Sequence, residues 1–428
     1  MAVRAGIVVT GTEVLTGRVS DRNGPWLAEA LRALGVDVGT VVVVGDRPAD
    51  LRSALAFLAG SGVDLAITTG GLGPTADDLT AAVVGEFQGR PSAVDPALEG
   101  RIAAIVDRLI ARRGWRMSPE ATAAGVAKQA LVPAGATVLE PVGTAPGLVV
   151  PVAEGRSGPP VLVLPGPPSE LQGMWPAAIA SAPVRAALAG AGELRQRTLR
   201  LWGTPESELA ATLRRVDDQL TGLEVTTCLR DGELEIVTRF APDAEPAYER
   251  LTDAVAADFA DTLFSDGPTV DALATGALAD RGWTVAVGES CTGGLISARL
   301  TAEAGSSAWA LGGVAAYADA AKEQLLDVPA ETLARSGAVS PEVALALAEG
   351  ARRRFGADVG VGATGIAGPG GGTPDKPVGT VHLAAVGPDG TATRSVVLAG
   401  SSREAIRQRT TTLALHLLRQ LLLGGPPA

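Results

Sequence analysis

Leu65-Ala66-Ile67-Thr68-Thr69-Gly70-Gly71-Leu72-Gly73-Pro74-Thr75-Ala76-Asp77-Asp78 is the stretch on which the fold turns. An apolar, β-branched run stops at a glycine-rich turn that feeds a helix-forming segment, and such junctions are where open α/β sheets bind ligands. Glycines let the backbone approach an anionic group, and the following helix offers unpaired N–H donors and the positive end of its dipole. Gly70, Gly71, Gly73, Thr75 and Asp78 are therefore candidate contacts to a phosphate-bearing nucleotide. The acidic pair has two readings. Thr75 or Asp77 caps the next helix, or a divalent cation bridges Asp78 and a phosphate.

Upstream of this turn, Gly6–Thr10, Val38–Val44 and Leu65–Thr69 read as strands, with amphipathic helices over Pro25–Leu34 and Pro48–Leu58 between them. That is a βαβαβ rhythm, which builds a parallel sheet. Asn23 is placed to cap the first helix and Gly35 to close it in a left-handed conformation. Val38–Val44 and Leu65–Thr69 are nearly continuous apolar runs, as in strands covered on both faces. Downstream, a helix over Ile102–Arg113 and strands at Gly147–Val150 and Val161–Leu164 precede the proline-rich loop Pro165–Pro168. The reading is a three-layer α/β domain over residues 1–185.

The remainder divides in two. Residues 192–266 alternate strands (Thr198–Trp202, Leu234–Phe240) with helices (Pro205–Val216, Ala247–Phe259) and read as a small α+β module. Ser265-Asp266-Gly267-Pro268 reads as a linker. Residues 269–424 begin a second α/β unit with a helix over Val270–Arg281 and a strand over Trp283–Val287.

Composition narrows the chemistry. The chain has 428 residues, a formal net charge of −11, 46% hydrophobic residues and 3% aromatics. That length calls for more than one core, and the charge opposes a nucleic-acid surface, which needs clustered Lys and Arg. No apolar run approaches the ~20 residues that cross a bilayer, so neither a membrane nor a nucleic acid is an expected partner, and a cytoplasmic location is expected. Two cysteines, Cys228 and Cys291, read as reduced thiols. With His382 and His416 the only histidines, catalysis must lean on Ser, Thr, Lys, Asp, Glu or Cys.

Three strand ends in the last third carry such groups. The first runs into Gly288-Glu289-Ser290-Cys291-Thr292-Gly293-Gly294, followed by Gly305-Ser306-Ser307. The second, Gly313–Tyr317, leads to Lys322. The third, Asp358–Ala363, ends in Thr364-Gly365 and a loop too glycine-rich for an ordinary connection. Amide hydrolysis needs an activated nucleophile and donors for an oxyanion. A desolvated lysine can take a proton from a serine, and the Gly365–Gly372 loop can supply the donors. Each residue also has a plain structural reading: Ser306 and Ser307 as caps, Ser290 as a turn residue, Lys322 as solvated surface.

The motifs Gly11-Thr12-Glu13, Gly70–Asp78 with Leu79-Thr80, Gly143-Thr144-Ala145-Pro146-Gly147 and Leu164-Pro165-Gly166-Pro167-Pro168-Ser169-Glu170 together resemble the CinA (competence/damage-inducible) family. The resemblance implies a first domain of the molybdopterin-binding, MogA-like fold, with a nucleotide over Gly11, Glu13 and Gly70–Asp78. In some members this domain hydrolyses ADP-ribose with a metal, and Asp78 matches the family's acidic position. Residues 192–266 would be its KH-like insert, and a spacer role suits that segment's acidity better than RNA binding. From about Val270 to Leu422 the chain resembles PncC-type nicotinamide-nucleotide amidases, which need no cofactor. That implies Ser307 as nucleophile and Lys322 as base, with Ser290, Thr292, Gly293, Tyr317, Thr364 and Gly365 around the substrate and an arginine on its phosphate.

Two departures from the family pattern stand out. Tyr317-Ala318-Asp319 replaces a Tyr-Ser-Asn/Asp run, and Gly400-Ser401-Ser402-Arg403 lacks an acidic residue before the arginine, leaving Arg403 or Arg407 as the phosphate ligand; Arg403 is the choice. Cys291 is the rival nucleophile, without an evident base. The expectation is an amidase converting nicotinamide mononucleotide to nicotinate mononucleotide and ammonia, alongside a nucleotide-binding first domain. The alternative is a non-catalytic nucleotide-binding or interaction protein associated with competence or DNA damage. Helices rich in glycine and alanine are compatible with the expected homodimer.

Overall fold

The structure, a computed structural model, describes residues 3–424 apart from Trp115 and Asp231. The chain divides into two compact units, Met1–Arg195 and Gln196–Ala428. In the first unit the strands are β1 (Arg4–Thr10), β2 (Asp37–Val44), β3 (Leu65–Thr69), β4 (Ser92–Val94), β5 (Leu131–Pro133), β6 (Thr137–Leu139), β7 (Gly147–Val150) and β8 (Val161–Leu164). Six of them form one sheet in the order β2-β1-β3-β8-β7-β6, and β4 pairs with β5 separately. β1, β2, β3 and β8 run parallel, while β7 and β6 are antiparallel.

Alternation along β1 shows why three layers form. Ala5, Ile7 and Val9 pack against Leu27 and Leu31 of the helix Asn23–Ala33 and Trp175 of the helix Pro168–Ala180. Val8 points the other way, into Leu51, Leu55 and Leu58 of the helix Pro48–Gly60. Period-two side chains thus fill two cores, one on each face. β2 departs from the expectation of cover on both faces. It is an edge strand whose exposure alternates, with Val41 43% exposed.

Two cap assignments also change. Asn23 is the first helical residue, not the cap, and the N–H groups of Asn23 and Gly24 donate to Asp21 Oδ1. The helix after the glycine-rich turn starts only at Thr80 and has no side-chain cap. Thr75 and Asp77 are therefore loop residues. Gly35 does adopt positive φ, 75°.

The second unit holds two sheets. β9 (Arg195–Trp202), β10 (Leu223–Arg230), β11 (Glu233–Phe240) and β12 (Leu263–Ser265) form one in the order β10-β11-β9-β12. Its core of Leu199, Ile236, Phe240, Tyr248 and Leu251 packs under the helices Glu206–Val216 and Glu245–Asp258. Ser265–Pro268 is no loose linker: Ser265 Oγ donates to Pro268 O, and Arg200 Nε donates to Gly267 O.

β13 (Val285–Glu289), β14 (Ala310–Ala315), β15 (Val359–Gly365), β16 (Thr380–Gly387) and β17 (Gly390–Val397) form the other sheet, ordered β14-β13-β15-β16-β17. β13, β14 and β15 are parallel. One face carries the helices Val270–Arg281 and Arg403–Leu423, the other the helices Asp319–Leu326 and Pro341–Phe355. Among the described residues no helix is long and apolar enough to cross a membrane.

Candidate active site and nucleotide cavity

Register decides which residues meet at the carboxyl ends of β13, β14 and β15. Glu289 pairs with Ala315 on one side and Ala363 on the other, and Ser290 N donates to Ala363 O at 2.9 Å. Ser290 and Thr364 therefore stand at one level on adjacent strands. Alternation fixes their face. Val285 and Val287 belong to the core under the last helix, whereas Ala286 belongs to the opposite core, and a Cβ on Gly288 would meet Leu347 O and Leu326. Ser290 continues the Ala286–Gly288 row, and Thr364 continues the Gly360–Gly362 row that lies against Ala348 and Ala344. Both side chains face the layer that holds Lys322.

Lys322 is buried, 1% exposed, one helical turn before Leu326. Residues four apart share a helix face. Because Leu326 sits over Gly288, Lys322 is carried toward the strand ends and Ser290. Its Nζ donates to Tyr317 O (2.9 Å) and to Asp319 Oδ1 (3.2 Å). Two of its hydrogens are thus placed. Thr364 Oγ1 donates to Ala338 O (2.7 Å). His382 pairs with Thr364 across β15 and β16 and hydrogen-bonds Ser395. At about 4.8 Å per strand, it stands two strands from Ser290, too far to deprotonate it.

Ser307 does not join this group. It lies in the exposed turn Ser306–Ala308 before β14, whose first residue, Ala310, pairs with Val285, the first residue of β13. The helix Leu295–Leu300 carries the chain back along the sheet, as a parallel connection must. The six residues of β14 then span about 16 Å, so Ser307 and Lys322 sit at opposite ends of that strand. The Ser307–Lys322 pairing is not formed within one chain.

Cys291 faces the wrong layer too. It belongs to the core under the last helix, and burial pushes its thiol up to about 12. Thr292 is buried, with Oγ1 lacking a partner among the described residues, and Gly293 adopts positive φ, 59°. The turn is held by Glu289, which sequence reasoning passed over. Its buried carboxylate accepts from Gly294 N, Ile296 N, Ser297 N and Ser297 Oγ at 2.7–3.2 Å. A carboxylate followed by two glycines at a helix start was the available signal.

The two arginines separate by role. Arg407 donates to Cys291 O and Thr292 O and clamps the turn. Arg403, exposed at the first position of the last helix, donates to Gly368 O (2.7 Å) and Tyr317 Oη (2.9 Å). It joins the glycine-rich loop that follows Gly365 to the tyrosine, which is 61% exposed.

In the first unit, Gly11, Glu13, Gly70, Gly71, Gly73, Thr75 and Asp78 all line one cavity of about 740 Å³ at the carboxyl ends of β1, β3 and β8. Gly70 (φ 105°) and Gly71 (φ 65°) take conformations that favour glycine, and a Cβ on Gly70 would meet Thr10 O at 2.5 Å. Thr75 N donates to Asp78 Oδ2, and Thr75 Oγ1 reaches both Asp77 and Asp78. The Thr75 hydroxyl holds the Asp77 carboxyl below its ordinary range. Burial raises that of Glu170, which the Pro165–Pro168 loop brings to the same cavity.

The molecule is thus a two-unit α/β protein with a glycine-lined cavity in one unit and a serine–lysine rim in the other. Residues 6–183 match the model of a probable molybdopterin binding domain, and residues 269–422 match the CinA C-terminal domain. Over the whole chain it is 56% identical to a CinA-like protein of Mycobacterium sp. (strain JLS) across 430 residues, covering 99% of this chain and 100% of that protein. It is 51% identical across 434 residues to a CinA-like protein of Mycobacterium tuberculosis, covering 100% and 99%. A solved competence/damage inducible protein from Agrobacterium tumefaciens is 42% identical, covering 37% of this chain and 99% of that one, with a TM-score of 0.35. The chain belongs to the CinA family.

Proposed function

We propose that the second unit hydrolyses nicotinamide mononucleotide to nicotinate mononucleotide and ammonia, with Ser290 as nucleophile and Lys322 as base. The observation that carries this reading is the register that puts Ser290 level with Thr364 on the face where Lys322 is buried. Lys322 Nζ takes the Ser290 hydroxyl proton as Oγ bonds to the carboxamide carbon. Backbone N–H groups of the Ala367–Gly372 loop receive the oxyanion. As the C–N bond breaks, Lys322 returns the proton to the departing ammonia. Water, deprotonated by the same amine, then attacks the ester and releases the carboxylate and Ser290. Tyr317 flanks the ring or ribose. Arg403 and the N–H groups at the start of the last helix hold the phosphate.

Ammonia release by purified protein tests this. Ser290→Ala and Lys322→Ala should each lose roughly a thousandfold or more in kcat. Ser307→Ala should remain within about threefold of the parent, as an exposed residue away from the rim does. Full activity in Ser290→Ala, or loss only in Ser307→Ala, overturns the assignment and would point to Ser307 supplied from a second chain, as a homodimer could do.

The first unit's cavity supports a second, compatible reading, a nucleotide site with metal-dependent pyrophosphatase chemistry on ADP-ribose. Among the described residues no three His, Cys, Asp or Glu side chains converge to hold an ion. A divalent cation would therefore be shared between Asp78 and the ligand's own phosphate oxygens. That activity should vanish with chelator and in Asp78→Ala, leaving ammonia release intact.

A further inference from the structure

β14 stands at one edge of the five-stranded sheet, and among the described residues no strand pairs with its outer side. An open edge presents a row of unpaired N–H and C=O groups, which soluble proteins commonly guard with charged side chains or proline. From Gly305 to Ala318 this edge has neither, in a chain that is 19% charged. Leu311, in the middle of that run, is 42% exposed.

The same edge bounds the serine–lysine rim. β13, which leads into Ser290, lies one strand in, and Tyr317, two residues past the end of β14, is the outermost group of the rim. Tyr317 and Arg403 are both exposed. Ligand sites bury most of their ligand, so in a single chain this rim lacks a wall on its β14 side.

A second copy of the same strand fits the edge. Two β14 strands running antiparallel about a two-fold axis repeat every contact, so any charge on the strand would face its own kind. A chain of net charge −11 can meet its copy closely only along an uncharged strip such as this one. Pairing then adds backbone hydrogen bonds without needing a matched side-chain surface. Register brings the far turn to the site. Counting outward from an axis at Gly312 or Gly313 sets the partner's Ser307 opposite Tyr317 or Asp319. The turn that is remote from Lys322 in its own chain thus lies one inter-strand spacing, about 4.8 Å, beyond the open side of the other rim.

We infer that β14 pairs with β14 of a second copy, and that the partner's Ser306–Ala308 turn walls the Ser290–Lys322 site on its Tyr317 side. This rests on the amidase reading of that site. The turn acts through its backbone and bulk and carries no step of the reaction. Ser307→Ala is therefore mild, whereas a large side chain there intrudes on the partner's substrate.

Co-expression of two full-length chains with different tags tests this. Ser307→Trp alone should lose about tenfold or more in kcat/KM, and Ser290→Ala alone roughly a thousandfold or more in kcat. A mixed pair of these two variants, purified through both tags, holds one intact Ser290 beside one intact turn. It should regain about half of wild-type ammonia release, one site of the two being whole. No recovery in the mixed pair means that the tryptophan acts within its own chain, and overturns the inference. Wild-type activity in Ser307→Trp does the same. Sedimentation reads the pairing without substrate: the wild type should run as a dimer, and Leu311→Asp, which puts a carboxylate on each strand of the joint, as a monomer with unchanged near-ultraviolet circular dichroism. Should that variant fail to fold, Leu311→Lys repeats the test. A monomeric wild type, or a dimer that survives the charge, overturns the pairing. A dimer that depends on Leu311 but releases no ammonia keeps the pairing and removes the amidase reading.

Discussion

Ser290 and Cys291 are neighbours in sequence and opposites in chemistry. The strand sends Ser290 to the Lys322 layer and leaves Cys291 in the core beneath the last helix. With its thiol pushed up to about 12, Cys291 carries almost no thiolate at working pH. Cys291→Ala should keep ammonia release within about threefold, and iodoacetamide should leave the parent active. Inactivation that tracks carboxymethylation of Cys291 would contradict this placement.

At the scale of elements, the junction of β13 with the helix Leu295–Leu300 depends on one carboxylate. Glu289 gathers three backbone N–H groups and a hydroxyl that would otherwise be unsatisfied where the chain turns. Glu289→Gln sets an amide NH₂ against at least one of those donors. We expect roughly a tenfold loss in kcat/KM, because Ser290 and Thr292 shift by fractions of an ångström, and a lower melting temperature. Unchanged kinetics with a lowered melting temperature would show that the turn tolerates the shift. The glycines at 288, 360 and 362 play the complementary part, since any Cβ there would strike the backbone of the helix Pro341–Phe355 or Leu326. They let helix and sheet approach closely enough to bury Lys322.

At the scale of the molecule, the middle module is fastened to the five-stranded sheet's domain through His416. This fully buried residue of the last helix stacks on Trp202 (4.1 Å), meets Phe264 edge-on and hydrogen-bonds Glu233 at 2.7 Å. Burial lowers its pKa despite the Glu233 contact. The unfolded chain, with an imidazole near ~6.5, then binds protons that the folded chain refuses. Stability from this site is complete above that value and is lost as pH falls below it. The melting temperature of a Gln196–Ala428 fragment should drop between about pH 7.5 and 5.5, and a fragment starting at Thr269, lacking Trp202, Glu233 and Phe264, should melt lower at either pH. Equal melting temperatures for the two fragments would deny the module this role.

By itself the sequence determined the element types, the two glycine-rich sites and the family. All three rest on local information: periodicity of apolar residues, glycines at strand ends, and motif order. Its two histidines also turned the search for a base toward Lys, a role that belongs to the proposal. Strand order and register, by contrast, come from hydrogen bonds between segments far apart in the chain, and they alone decided that β2 is an edge, that Ser307 lies at the far end of β14 from Lys322, and that Ser290 stands beside Thr364. Asn23 illustrates the same division. Its sequence position suggested a helix cap, a local role, whereas the fold sent its amide nitrogen to Thr69 and Gly166, far away in the chain.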